Sequence, residues 1–256
     1  MSAPGSGREG ANGPPRRVVL GLESGADHLG AALIDDAGLV AEARQRRGPD
    51  RSDALLALVA GLLERSAIAP GELALIAVPR GPGSFTGIRV GLSLAQGLSL
   101  ATGVPVWPVS SLAALAMNAT IPDALVLSLL DARRGEVYAG LYRLRAARPP
   151  LTLLAPRAAT CEVALAAARE ALPEGGERMT VLGSGALAYG LATAWGDAGG
   201  RSDAVHVASA LTVAELARRE WAEAGWDLGA APPVDPAYLR KSEAEIAADL
   251  KEGRAS

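Results

Sequence analysis

Apolar and polar residues along the chain follow two different periods, and the first part of the chain has the shorter one. Apolar runs bounded by turn residues predict strands at Val18–Leu22, Leu29–Ile34 and Leu39–Arg44. Between the second and third runs, Asp35-Asp36-Ala37-Gly38 predicts a hairpin turn. The chain is therefore expected to open with three consecutive strands.

The pattern then changes to the helical period. Ser52 is a candidate N-cap, and leucine and valine recur at helical spacing as far as Leu63. Pro70-Gly71 ends this helix, Leu73–Val78 predicts a buried strand, and Ile88–Thr102 predicts a second helix. Three strands, a helix, a strand and a helix make one compact α/β unit.

The same order of elements recurs further along the chain, after a short helix capped by Ser110 or Ser111. The predicted elements are strands at Ala124–Leu130, Glu136–Leu144 and Leu151–Leu154, a helix at Glu162–Leu172 and a strand at Met179–Leu182. We therefore predict an α/β protein with two similar halves.

Composition narrows the classes of function. The chain has 256 residues and a net charge of -3, which argues against a self-sufficient nucleic-acid binder. Cys161 is the only cysteine, which excludes a disulfide framework and fits a reducing cytosol. No apolar run is long enough to span a bilayer, and residues 1–15, rich in glycine, proline and serine, are expected to be a disordered leader.

The segment Gly81–Gly91 carries the most information. A glycine-rich loop between a strand and a helix directs backbone N–H groups at one point, which is how phosphate sites are built. Ile88 stands where a P-loop requires lysine, so the alternative is that the glycines only permit a tight turn and close packing. Glu23, at the end of the first strand, is expected either to bind Mg²⁺, to act as a base or to cap a turn.

The sequence contains few other candidate catalytic residues. The two histidines, His28 and His206, are far apart in the sequence, and both are expected at the surface rather than in a catalytic triad. Arg133 and Arg134 form a basic pair in a short polar link between two strands, for which a solvated hairpin is the simpler interpretation.

Four blocks of sequence together resemble the TsaB (YeaZ) family, whose members are the dimerisation subunits of the complex that makes threonylcarbamoyladenosine in tRNA. These blocks are Val18–Ser24, Gly81–Gly91 with its continuation to Leu112, Asp131–Tyr138, and Pro236–Arg240. Two positions depart from the family pattern, because Glu23 replaces an aspartate and Arg51 replaces a histidine.

The resemblance implies a two-lobed actin-like ATPase fold of the ribonuclease-H type, with duplicated βββαβα halves. On this basis residues 16–108, together with about 212–240, are expected to form the N-terminal lobe. Residues 109–211 are expected to form the C-terminal lobe, and 241–256 a flexible tail.

The resemblance also implies a non-catalytic, cytoplasmic partner subunit needed for N6-threonylcarbamoylation of adenosine 37 in tRNAs that read ANN codons. The expected partners are a TsaD-type transferase, which this chain would pair with and activate, a TsaE-type ATPase, and tRNA bound through the complex. A homodimer is expected when the chain is alone. No cofactor is expected in this chain, whereas ATP and a metal ion are expected in the partner subunits.

Candidate site residues follow from the same resemblance and from two apolar helical stripes. The candidate partner interface consists of Leu55, Val59, Leu62, Val90, Leu94 and Leu98, unless both stripes face the chain's own sheet. The family motif loop comprises Gly81, Gly83, Ser84, Phe85, Thr86, Gly87 and Arg89. Arg133 and Arg134 are candidate contacts to RNA or to a partner, and Glu23 is a candidate residual ligand.

Two other classes of function stay open at this point. One is an independent peptidase, since related chains have been labelled glycoproteases. The other is an actin-like ATPase or phosphotransferase that binds phosphate at the Gly81 loop and Mg²⁺ at Glu23.

Overall fold

In the computed structural model, residues 16–25, 28–46, 51–119, 121–172, 178–191 and 206–239 are described. Within these ranges the chain forms nine strands, six α-helices and two short 3-10 helices. The first half contains β1 (Val18–Glu23), β2 (His28–Asp35), β3 (Gly38–Arg46), α1 (Arg51–Arg65), β4 (Leu73–Gly81), α2 (Phe85–Thr102) and β5 (Val106–Ser110).

The second half repeats this order after a connecting helix. It contains α3 (Ser111–Ala116), β6 (Leu125–Arg133), β7 (Glu136–Arg145), β8 (Arg148–Thr160), α4 (Cys161–Glu170), β9 (Met179–Leu182) and α5 (Ser184–Ala188), and α6 (Ala210–Glu223) follows. Thus β6-β7-β8-α4-β9-α5 reproduces β1-β2-β3-α1-β4-α2.

The two sheets share one topology. The first has the order β3-β2-β1-β4-β5, and the second has the order β8-β7-β6-β9. In each sheet the first three strands are antiparallel hairpin partners, and the next strand returns by a helical crossover to pair in parallel with the first. This duplicated order is that of a two-lobed actin-like ATPase, ribonuclease-H-type fold, which confirms the predicted fold class.

Five layers stack through the molecule. α1 and α2 cover the outer face of the first sheet, and α4 covers the outer face of the second. Between the sheets, α3 and α6 contribute to a single core with residues of both, including Val19, Leu75, Val126 and Tyr142. Apolar faces on both sides of each sheet account for strands such as β1, in which every residue is buried.

Most predicted elements are confirmed, with different lengths. α2 begins at Phe85 rather than Ile88, because Ser84 caps it by accepting a hydrogen bond from Gly87 N at 3.3 Å. β8 extends far beyond the predicted Leu151–Leu154, because pairing with β7 holds its polar ends in the ladder. The predicted leader, the predicted tail and Arg240 lie outside the described residues.

No helix in the described part of the chain is long and apolar enough to cross a membrane.

Candidate functional site

The glycine-rich loop packs against the end of β1. The hydroxyl of Ser24 donates a hydrogen bond to the carbonyl oxygen of Gly87 at 2.8 Å. A Cβ atom at Gly87 would collide with the carbonyl oxygen of Ser24, and one at Gly91 would collide with the Ser24 hydroxyl. Glycine is therefore required at both positions for close contact between α2 and the chain's own first strand.

The last described segment of the chain runs along this loop. The backbone N–H of Ala237 donates to the carbonyl oxygen of Arg80 at 2.7 Å, and the side chains of Arg80 and Asp235 form an ion pair at 3.0 Å. Gln96, on α2, donates to the carbonyl oxygen of Val234. The segment from Val234 to Tyr238 thus forms a strap along α2, from Gln96 to the start of the helix.

Three side chains join the strap to the helix. Phe85 and Tyr238 stack with ring centroids 5.2 Å apart. The guanidinium of Arg89 lies 3.9 Å from the Phe85 ring centroid and donates to the Tyr238 hydroxyl at 2.9 Å. Two motifs that are separate in the sequence, Gly81–Gly91 and the block ending at Arg240, therefore meet in one exposed cluster. Sequence reasoning identified both motifs but had no signal for their contact.

The predicted interface residues fall into two groups. Leu55, Val59 and Leu62 are buried in the core between α1 and the first sheet, so these three contact their own chain and leave no side-chain surface for a partner. Their assignment as partner contacts is corrected accordingly, because the apolar stripe of α1 faces inward. Val90, Leu94 and Leu98 on α2 are only half-buried.

Other leucines on these two helices are more exposed. Leu100 on α2 exposes 90% of its surface and Leu56 on α1 exposes 48%. Gly97, three residues before Leu100 on α2, has open space beside it, since a Cβ atom there would meet nothing within 4 Å. The outer face of α1 and α2 therefore presents apolar and small side chains to its surroundings.

Glu23 occupies a constrained position at the end of β1. It is buried, and its Oε1 accepts a hydrogen bond from the backbone N–H of Gly25. This contact closes a turn, which was one of the roles expected for it. Among the described residues, no group of three or more histidine, cysteine, aspartate or glutamate side chains is arranged to hold a metal ion.

Arg133 and Arg134 lie in the hairpin between β6 and β7, and both are exposed. Their φ angles are +66° and +58°, followed by Gly135 at +81°. The backbone N–H of Arg133 donates to Asp131 Oδ1 at 2.8 Å, which fixes the start of the turn. The hairpin therefore carries two consecutive exposed arginines on a defined left-handed backbone.

The two histidines differ in burial and in their hydrogen-bond partners. His28 is half-buried, with its Nδ1 3.3 Å from the Arg44 guanidinium. His206 is buried, and its Nδ1 accepts a hydrogen bond from the backbone N–H of Gly183 at 3.1 Å. The expectation that His206 lies at the surface is wrong, because the side chain satisfies a buried amide beside β9.

Known proteins resemble this chain in sequence over about half of its length. A family model described as TsaD, tRNA N6-adenosine threonylcarbamoyltransferase, matches residues 49–171. The tRNA threonylcarbamoyladenosine biosynthesis protein TsaB of Bacillus subtilis is 37% identical over 128 residues, and that of Escherichia coli is 33% identical over 127. These alignments cover 50% and 49% of this chain, and the chain spans only 56% and 54% of the lengths of these relatives.

A solved structure extends the comparison over more of the chain. YeaZ from Pseudomonas aeruginosa superposes with a TM-score of 0.69 at 26% identity, covering 87% of this chain and all of the other. A second structure, titled as an uncharacterized protein with similarity to peptidase YEAZ from Pseudomonas aeruginosa, gives the same TM-score and identity. Together with the motif segments described above, these relationships support a place for the chain in the TsaB/YeaZ family, which it resembles in sequence over about half of its length and in fold over most of it.

Proposed function

We propose that this chain is a non-catalytic, cytoplasmic subunit in the biosynthesis of threonylcarbamoyladenosine in tRNA. In this proposal it pairs with a TsaD-type transferase and activates it for N6-threonylcarbamoylation of adenosine 37 in tRNAs that read ANN codons. It forms a homodimer when the transferase is absent, and a TsaE-type ATPase and tRNA join through the complex.

The observation that carries the proposal is the outer face of α1 and α2. Leu100 on α2 and Leu56 on α1 are exposed, and Leu94 on α2 is half-buried. Small residues such as Gly97 allow a second pair of helices to approach closely, while the leucines fill the grooves between them. A standard interface buries about 1,600 Å² in total, which two helices from each side are able to supply.

The exposed arginine pair supports the part of the proposal that concerns tRNA. Arg133 and Arg134 lie together on a constrained turn of the second sheet. Guanidinium groups bind phosphate oxygens in a bidentate manner, so this hairpin is suited to add phosphate contacts to a composite surface.

The packing of the glycine-rich loop supports placing ATP and the metal ion in the partner subunits. Gly87 and Gly91 approach Ser24 so closely that the loop's small residues serve internal packing. An ATPase or phosphotransferase would instead bind nucleotide at this loop. Titration of ATP with Mg²⁺ into the isolated chain, followed by calorimetry, distinguishes these functions, and micromolar binding would favour the enzyme.

The pairing is tested by size-exclusion chromatography with light scattering, on this chain alone and mixed with the TsaD-type protein of the same organism. We expect a homodimer that converts to a 1:1 heterodimer. Leu94→Asp and Leu100→Asp should each prevent both associations, because a charge in an apolar interface is left unpaired. Leu100 is almost fully exposed, so its substitution should not affect folding.

Leu187→Asp is the matched control, since Leu187 is an exposed leucine on α5, in the other half of the molecule. It should dimerise as the unmodified chain does. A monomer that does not associate with the transferase, or a Leu100→Asp variant that pairs in full yield, would remove the basis of the proposal.

A further inference from the structure

A cleft separate from the glycine-rich loop opens between the two sheets beside the second half of α6. Its volume is about 620 Å³, within the range of small-ligand sites. Its lining includes the apolar residues Pro149, Leu151 and Pro232, together with Glu220 and Glu223 of α6. The ionisable side chains lining it are these two glutamates and Arg145.

Glu220 is the most unusual of these groups. Its Oε2 accepts a hydrogen bond from the indole N–H of Trp107 at 2.8 Å. Burial raises the pKa of Glu220 to about 7, and the nearby charge of Glu223 adds to this increase, whereas the Trp107 hydrogen bond opposes it. Within the part of the chain that the structure describes, its Oε1 accepts no hydrogen bond.

Arg145 is the only cation among the described residues that line the cleft, and it is already engaged. Arg145 Nη2 lies 3.3 Å from Glu223 Oε1, and its Nε donates to the carbonyl oxygen of Pro149 at 2.8 Å. The lining thus carries two carboxyl groups and one guanidinium, which is paired with Glu223, so Glu220 carries a charge that Arg145 does not pair whenever it is ionised. An organic cation that enters the cleft would find a carboxylate oxygen for its head group and an apolar wall for its stem.

We propose that this cleft binds the side chain of a lysine or arginine on a partner polypeptide, with Glu220 as the principal contact. Charge complementarity identifies the occupant, because the cleft offers one uncompensated carboxylate rather than a long anionic track. The apolar stem of a basic side chain packs against Pro149, Leu151 and Pro232, and its charged group pairs with Glu220.

Binding at this site is linked to protons. A cation favours ionised Glu220, so a protonated carboxyl must first release its proton. With an ionisation near pH 7, the competent form is about a tenth of the protein at pH 6 and most of it at pH 8. Affinity should therefore be about tenfold higher at pH 8 than at pH 6.

The test follows the indole N–H signals of the ¹⁵N-labelled full-length chain by NMR. N-acetyl-arginine methylamide and N-acetyl-lysine methylamide serve as probes, and N-acetyl-norleucine methylamide is the uncharged control. The Trp107 signal is assigned from the Glu220→Gln spectrum, because this substitution changes its acceptor. We expect the two cations to shift this signal and to bind with about tenfold higher affinity at pH 8 than at pH 6. The norleucine compound should have no effect.

Glu220→Gln should weaken binding at least tenfold, while Glu64→Gln, an equivalent change at an exposed glutamate on α1, should leave it unchanged. No shift of the Trp107 signal, equal shifts with the norleucine compound, or full binding by Glu220→Gln would overturn the proposal. Spermidine that binds more tightly than either capped amino acid would assign the cleft to a free polyamine instead.

Discussion

Burial raises the pKa of one residue, Glu220, enough to affect the stability of the protein. Its pKa is about 7, above the ordinary value of 4.5, so the folded protein binds this proton more tightly than the unfolded chain does. Stability is therefore expected to fall as the pH rises from about 4.5 to 7, and to stay lowered above that range. Ionised Glu220 costs folding free energy at neutral and alkaline pH.

Glu220→Gln should remove this cost and retain a hydrogen-bond acceptor for Trp107. We expect the variant to gain about 2 kcal/mol of unfolding free energy relative to the unmodified chain between pH 5 and pH 8. Urea denaturation at both pH values measures the difference. Glu64→Gln, at an exposed site, should show no such dependence, and a Glu220→Gln variant that is equally stable relative to the parent at both pH values would contradict the assignment.

Arg134 is a second residue that is expected to lower the unfolding free energy of the protein. It has a φ of +58°, a conformation that glycine adopts without the Cβ penalty. Arg134→Gly should therefore increase the unfolding free energy by about 0.5–1 kcal/mol. Arg157→Gly, an exposed change within strand β8, should have the opposite sign.

The Arg134→Gly variant also tests whether the Arg134 side chain contacts RNA. If Arg134 binds tRNA phosphate, Arg134→Gly should raise the melting temperature of the chain while weakening tRNA binding by the assembled complex. Unchanged tRNA affinity at low salt would remove Arg134 from the proposed RNA surface.

At the scale of elements, the sequence predicted the caps and turns that depend on contacts within a few residues. Ser110 caps α3 as expected, and Gly103 ends α2 in the left-handed conformation. The β2–β3 hairpin forms at the predicted turn. Each of these depends on contacts within a few residues, which a sequence pattern records directly.

Non-local features were predicted less well. An apolar stripe at helical spacing has the same pattern whether it faces its own sheet or another chain, so Leu55 and Leu62 were assigned to a partner although they are core residues. The contact between Phe85 and Tyr238 joins two motifs across most of the sequence, and no periodicity signals such a pairing. The sequence also gives no signal that His206 accepts a hydrogen bond from the backbone N–H of Gly183.

The strap over α2 is an element whose contribution is measurable. Tyr238→Ala removes the ring that stacks on Phe85 and the hydroxyl that accepts from Arg89, so we expect a loss of about 1 kcal/mol. Hydrogen exchange should quicken at the first amides of α2. Tyr238→Phe should retain most of the protection because it keeps the stacked ring. Tyr189→Ala, on the second half, is the control and should leave α2 unaffected.

At the scale of the whole molecule, α6 holds the two sheets together. Its first turn lies directly on β1, and a Cβ atom at Gly21 would collide with the carbonyl oxygen of Ala210. Because residues of α3, α6 and both sheets share one core, the two halves should unfold in a single transition.

Gly21→Ala should destabilise the protein by about 3 kcal/mol, since the backbone of α6 must move away from the first sheet. Gly71→Ala, outside α1 and α2, is the matched control, because nothing lies within 4 Å of the added methyl group, and it should stabilise the chain by about 0.4–1 kcal/mol. Chemical denaturation measures both. Comparable stability of the two variants would show that α6 tolerates displacement.

The position of α6 in the sequence also determines when each surface is covered during synthesis. Among the described residues, the strands of both sheets end at Leu182, whereas α6, which packs with α3 between the sheets, begins only at Ala210. A nascent chain that has reached β9 therefore still exposes the apolar inner face of the first sheet. Termination before Ala210 leaves an aggregation-prone fragment, rather than a working half-molecule, for the cell's chaperones and proteases.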